Sequence, residues 1–167
     1  MLGVAILIFV TLGTQDKPFP RLLEAIQKQI DNGTIPKDEK IIVQAGCTRF
    51  KSKDMEIKHY MGVKKFEQLI EESNLIISHA GVGTILTALR KNKRIIAAAR
   101  LKQYGEHVND HQLQILENFR DAGYLLALEN FEKLNEVLEE AKGFKPAKFK
   151  SNRDYFLKQL EHQIDIL

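Results

Sequence analysis

"LIISHAGVGTILTAL", Leu75–Leu89, joins an apolar run, a pair of glycines at 81 and 83, and the helically spaced stripe Val82, Ile85, Leu86 and Leu89. It reads as a buried strand, a tight turn and a helix. Such a unit brings the unpaired N–H groups of a helix start, and the positive end of its dipole, to the end of a strand. That arrangement is an anion cradle. Gly81 and Gly83 are expected to let the backbone approach a ligand and to adopt positive φ. The N–H groups of Thr84 and Ile85 are expected to face the anion. A plain tight turn capped by Thr84 is the competing reading.

Outward from this unit the same alternation repeats. Six short runs read as strands: Val4–Val10, Ile41–Ala45, Met55–Tyr60, Leu75–His79, Arg94–Ala99 and Tyr124–Leu128. Most are continuous rather than alternating, as in strands covered on both faces. Met55–Tyr60 is the most polar of them. Between the strands lie helical stripes at Phe19–Ile30, Val63–Ile70, Val82–Leu89, Leu113–Ala122 and Phe131–Ala141. The order β-α-β-β-α-β-α-β-α-β-α predicts an α/β fold, a Rossmann-like, doubly wound, mostly parallel sheet of about six strands. Residues 1–142 are assigned to this domain. Residues 143–167 read as a basic linker, "KGFKPAKFK", and a C-terminal amphipathic helix with the stripe Phe156, Leu157, Leu160, Ile164 and Leu167. Ser151 and Asp154 have spacing close to that of a capping box.

Composition narrows the function. With 167 residues, 44% of them hydrophobic, the chain can bury a core. A net charge of +3 suits phosphorylated ligands or an anionic surface but is too weak for a nucleic-acid footprint. One cysteine, Cys47, excludes an internal disulfide and fits a reducing cytosol. Leu2–Val10 is far shorter than the roughly 20 residues of a membrane-spanning helix. It also lacks the basic flank of a secretory signal. Membrane contact is therefore expected to be peripheral, or provided by a partner.

In a doubly wound sheet ligands bind beyond the carboxyl ends of the strands, where the winding reverses. With strand order 3-2-1-4-5-6, strands 1 and 4 are neighbours there. Their following loops are Thr11–Gln15, "TLGTQ", and Ser78–Thr84, "SHAGVGT". No GKS or GKT triplet occurs, so the loop is not a Walker type. "GVGTIL" has Leu86 where a nicotinamide fingerprint has its third glycine. No DxD pair is present to hold a metal against a diphosphate, so neutralisation by helix dipole and basic side chains is expected. A second polar cluster, "GEHVNDHQLQ" at Gly105–Gln114, follows strand 5. Its amides suit sugar hydroxyls. His107 and His111 have a spacing that can hold zinc, but a third ligand is missing. A capped polar helix turn is the alternative.

"FVTLGTQDKPFPRLLEAI", "VQAGCT", "LIISHAGVGTILTAL" and "LKQYGEHVNDHQLQILENF" together resemble the catalytic-subunit family of split bacterial glycosyltransferases of exopolysaccharide and capsule synthesis. That family is similar to the catalytic subunit of the eukaryotic two-subunit N-acetylglucosaminyltransferase. Both are similar to the C-terminal half of MurG-type GT-B enzymes, family 28. The similarity runs from about Ile8 to Leu128.

The resemblance implies a GT-B C-terminal domain that binds a UDP-sugar donor without a cofactor or metal. It implies that the diphosphate lies against Gly81–Thr84 and the loop containing Gly13, Thr14 and Gln15. His79 shapes the turn and is the candidate for phosphate stabilisation, with Gly81, Gly83 and Thr84 beside it. Thr87 stands where relatives often carry Glu or Asp toward the ribose, and Ala99 where they often carry proline. Glu106, Asn109, His111 and Gln112 complete the donor set, the last three on sugar hydroxyls. A membrane-associated subunit would bind the acceptor, a lipid-linked diphospho-sugar at the cytoplasmic face, and the C-terminal helix would meet it. No side chain in these loops has the marks of a general base; a split enzyme can carry that group on its other subunit. Two rivals stand beside this reading: a non-catalytic UDP-sugar-binding partner, and a UDP-sugar epimerase, which would ordinarily need both GT-B domains.

Overall fold

The computed structural model describes residues 6–149. Among them six strands form one sheet: β1 (Leu7–Thr11), β2 (Lys40–Gln44), β3 (Glu56–Lys58), β4 (Leu75–His79), β5 (Ile95–Ala98) and β6 (Leu126–Ala127). All pairings are parallel, in keeping with the expected mostly parallel sheet, and the order β3-β2-β1-β4-β5-β6 is the common doubly wound one. The helices are α1 (Pro20–Asp31), α2 (Val63–Glu72), α3 (Val82–Arg90), α4 (His111–Asp121) and α5 (Leu134–Gly143).

Each central strand feeds two cores, which explains its unbroken apolar composition. Ile8 and Val10 of β1 join α1 and α5 on one face, while Phe9 joins α2, α3 and α4 on the other. Ile77 and Ile76 of β4 divide in the same way. Side chains such as Phe9 and Ile77 are fully buried, each contributing about 1.5–3 kcal/mol. Helix α1 begins at Pro20, whose fixed φ suits a first helical position. It stops at Asn32–Gly33, where Gly33 takes φ +82°.

Several boundaries differ from the sequence reading. Among the described residues β1 runs Leu7–Thr11, leaving out Ile6 and passing the expected end at Val10; Val4 and Ala5 lie outside the described residues. β3 shrinks to three residues because it lies at the sheet edge, paired only with β2, where polar Glu56 and Lys58 stay exposed. The first part of the expected linker lies on the domain. The Ala147 N–H donates to Gly123 O at 2.9 Å, and Phe149 meets Tyr124 edge-on with ring centroids 5.6 Å apart. The expected C-terminal helix and its capping spacing lie outside the described residues.

The register Ile8↔Leu75 through Thr11↔Ser78 places β1 against β4 at the reversal point. Their glycine loops therefore leave the sheet side by side.

Candidate functional site

At the carboxyl edge of β1 and β4 a cleft of about 460 Å3 opens to solvent. Gly13, Thr14 and Gln15 line it from the β1 loop, and His79, Gly81, Gly83, Thr84 and Thr87 line it from β4 and α3. The structure thus brings together eight of the twelve residues singled out from sequence.

His79 is the wedge between the two loops. Its imidazole fills the space that side chains on Gly13 and Gly81 would need. A Cβ on Gly13 would lie 2.6 Å from His79 Nε2, and one on Gly81 only 2.3 Å away. Gly13 also takes φ +78° and is pressed from behind by Gly46, whose own Cβ would meet Gly13 O at 2.5 Å. His59 Nδ1 donates to Gly46 O at 2.8 Å. A chain of contacts through the loops after β1, β2, β3 and β4 therefore sets the cradle.

His79 is only 7% exposed. Burial, and then the Arg100 guanidinium, pull its pKa from 6.5 to about 4, against an opposing hydrogen bond to the Thr11 backbone. The ring is neutral at pH 7. Uncharged, it can offer an anion one N–H, for which the Thr11 backbone carbonyl competes, and no charge.

The helix start differs in detail from the sequence reading. Gly81, not Thr84, is the N-cap, and α3 opens at Val82. Ile85 N–H is already bonded to Gly81 O at 3.2 Å, so the free donors are those of Val82, Gly83 and Thr84. Neither glycine takes a positive φ; Gly81 sits at −89° and Gly83 is helical. Gly81 is there to accommodate His79, and Gly83 to leave the cleft open, since a Cβ on it meets nothing within 4 Å. Thr87 donates its hydroxyl back to Gly83 O at 2.9 Å, leaving it only an acceptor role toward the cleft.

The β5–α4 loop behaves otherwise. Glu106, expected among the donor ligands, is 2% exposed and points inward. Its carboxylate accepts two hydrogen bonds from Arg21, at 2.8 and 2.9 Å, and one from the Leu101 N–H at 2.9 Å. Arg21 in turn stacks on Phe131 and Tyr104, 3.8 and 4.3 Å from the ring centroids. Gln112 is buried with its Oε1 accepting the Arg100 N–H at 3.0 Å. Asn109 Oδ1 accepts the His111 N–H at 3.1 Å, at the start of α4. None of these four lines the cleft. The loop meets the lining residue Gln15 through His107, whose Nε2 lies 3.3 Å from Gln15 Nε2. Among the described residues no group of three or more His, Cys, Asp or Glu side chains is placed to hold a metal ion.

A profile of the glycosyltransferase family 28 C-terminal domain matches residues 7–164, nearly the whole chain. The chain belongs to that family. Among similar proteins, the UDP-N-acetylglucosamine transferase subunit ALG13 of Candida albicans is 35% identical over 81 residues, covering 48% of this chain and 26% of that protein. The chain thus matches about a quarter of that relative's length. An NMR solution structure of ALG13 superposes with a TM-score of 0.58 at 22% identity, over 93% of this chain and 95% of that one. The crystal structure of the kitacinnamycin glycotransferase gives 0.64 at 16% identity, over 86% of this chain and 36% of that one. These two likenesses show the fold.

This family 28 cleft also has walls that sequence reasoning missed. Gln44 from the end of β2, and Met61, Val63, Phe66 and Glu67 from the start of α2, complete its lining. Val63 is 74% exposed, an unusual placement for valine at a helix start. The sequence reading places Val63 on one helical stripe with Phe66, Leu69 and Ile70; as the first residue of α2 it faces the cleft instead of the core.

Proposed function

We propose that this chain is the donor-binding, catalytic subunit of a two-subunit UDP-sugar glycosyltransferase. The observation that carries the proposal is the cleft between the β1 and β4 loops. It combines an N–H-rich helix start with an apolar wall of Met61, Val63 and Phe66. A nucleoside diphosphate matches both, with oxygens for the N–H donors and a flat base for the wall. The named relative, a UDP-N-acetylglucosamine transferase subunit, supports UDP-N-acetylglucosamine as the first donor to test.

In this reading Val82, Gly83 and Thr84 N–H groups and neutral His79 stabilise the UDP leaving group. Thr87 accepts from a ribose hydroxyl. The sugar extends toward Gln15 and His107, with Asn109, His111 and the free amide end of Gln112 behind them. The donor is bound without a metal cofactor. A membrane-associated partner supplies the acceptor site and the general base, and brings the chain to the cytoplasmic face. The acceptor is a lipid-linked diphospho-sugar, and the product feeds capsule or exopolysaccharide synthesis. Residues 1–142 form the donor domain. The stripe Phe156–Leu167 in residues 143–167 meets the partner.

Thermal-shift titration with uridine, UDP and UDP-sugars tests the donor site. A ligand at 100 times its dissociation constant adds about 2.7 kcal/mol. Absence of stabilisation by any uridine nucleotide would overturn the reading. Isomerised free sugar nucleotide, formed without acceptor, would favour an epimerase instead.

A further inference from the structure

The cleft poses an electrostatic problem. Among the described residues its lining contains no Lys or Arg, its one histidine is neutral, and Glu67 adds a negative charge at the mouth. A diphosphate would need positive charge from elsewhere. We propose that the fully buried Arg100 provides it, as a positioning residue that fixes the β1 loop and compensates the bound diphosphate without touching it. The inference rests on the cleft being a nucleoside diphosphate site.

Arg100 is 1% exposed and lies just beyond β5. Its Nη1 donates to Lys17 O at 2.7 Å and to Glu106 O at 3.3 Å, and its Nη2 donates to Leu12 O. Leu12 and Lys17 bracket the segment that carries Gly13, Thr14 and Gln15. One guanidinium thus holds both ends of the cradle loop and ties it to the β5–α4 loop. Its Nε has no partner.

The charges around it leave a surplus. The wall contains the Arg21 and Arg100 guanidiniums and the Glu106 carboxylate. That carboxylate takes its two side-chain hydrogen bonds from Arg21, whereas the Arg100 guanidinium bonds only to backbone carbonyls. Two cations and one anion leave one positive charge in the wall. Arginine stays protonated even when burial opposes it. A charge held at low dielectric acts over a longer range than one in water. It therefore reaches an anion one loop away, and its influence already extends to His79.

The test compares UDP with uridine, which lacks the phosphates, by NMR titration of the folded parent chain and variants. Arg100→Gln should weaken UDP by about tenfold and leave uridine unchanged. Arg100→Lys, which keeps the charge but not the fork, should retain most of the preference for UDP. Equal losses for both ligands would reduce Arg100 to a structural tie and overturn the proposal. If Arg100→Gln does not fold, Arg21→Gln carries the test. Its loss leaves Glu106 to cancel Arg100, so UDP should weaken and uridine should not; unchanged UDP binding would overturn the proposal. Failure of the parent chain to bind UDP would remove the reading of the cleft and this inference together. UDP binding by the parent with no selective loss in the variants removes this inference alone.

Discussion

The two glycine loops and the β5–α4 loop sit at the same edge of one sheet, yet they use polarity in opposite ways. The β1 and β4 loops set glycines among their polar side chains and leave backbone donors facing an open cleft. The β5–α4 loop concentrates polar residues and directs most of them into the protein, against Arg21, Arg100 and its own backbone. A dense polar stretch is therefore no guide to where a ligand lies. Open space is governed by glycine and by where a helix begins.

The contrast breaks most visibly at Glu106. Removing one partner of a buried ion pair leaves an uncompensated charge, so Glu106→Ala should lower stability by about 3–5 kcal/mol in urea unfolding. A variant as stable as its parent would return Glu106 to the ligand set.

Acid sharpens the comparison from the cleft side. Between pH 6.5 and about 4 the unfolded chain protonates His79 while the folded chain holds it neutral. Stability from this residue is complete above pH 6.5 and is lost as pH falls toward 4, by about 3 kcal/mol in total. Parent and His79→Gln should differ in the slope of melting temperature over that window. Parallel slopes would mean that the ring is not held neutral.

Gln112 offers a smaller effect. Its Oε1 is the partner of the Arg100 N–H, so Gln112→Ala should cost about 1–3 kcal/mol by orphaning a buried donor. Loss of UDP-sugar affinity at unchanged stability would instead put the side chain on the sugar.

The smallest stability change belongs to Gly83, where a side chain enters empty space in the first turn of α3. Gly83→Val should shift stability by within about 0.5 kcal/mol while abolishing stabilisation by UDP. Retained UDP binding would move the phosphate site off this helix start.

Read from sequence alone, the fold was nearly complete, because burial on both faces imposes long apolar runs on β1, β2, β4 and β5. The short edge strand β3 carries little of that signal. The cradle was legible for a related reason: "SHAGVGT" and "TLGT" follow strong strands, and the winding rule puts strands 1 and 4 together. The reason for each glycine was not. Positive φ was expected at Gly81 and Gly83, but in the cleft loops Gly13 and Gly46 adopt it, while Gly81 is required by its contact with His79, which exists only in three dimensions.

The alternation of strands and helices and the placement of the glycine loops follow from periodicity and turn residues, which are local properties of the chain. The expected strand order rests on the common doubly wound pattern, and packing decides it. The direction in which a polar side chain points is not local. Glu106 and Arg21, 85 positions apart, become partners only after β5 and α1 pack onto the same sheet. Tertiary packing also decided that His79 is neutral, that Arg100 is buried behind the cradle, and that Met61, Val63 and Phe66 form a wall. Each of these depends on which distant groups displace water from a side chain, and that displacement exists only in the folded molecule.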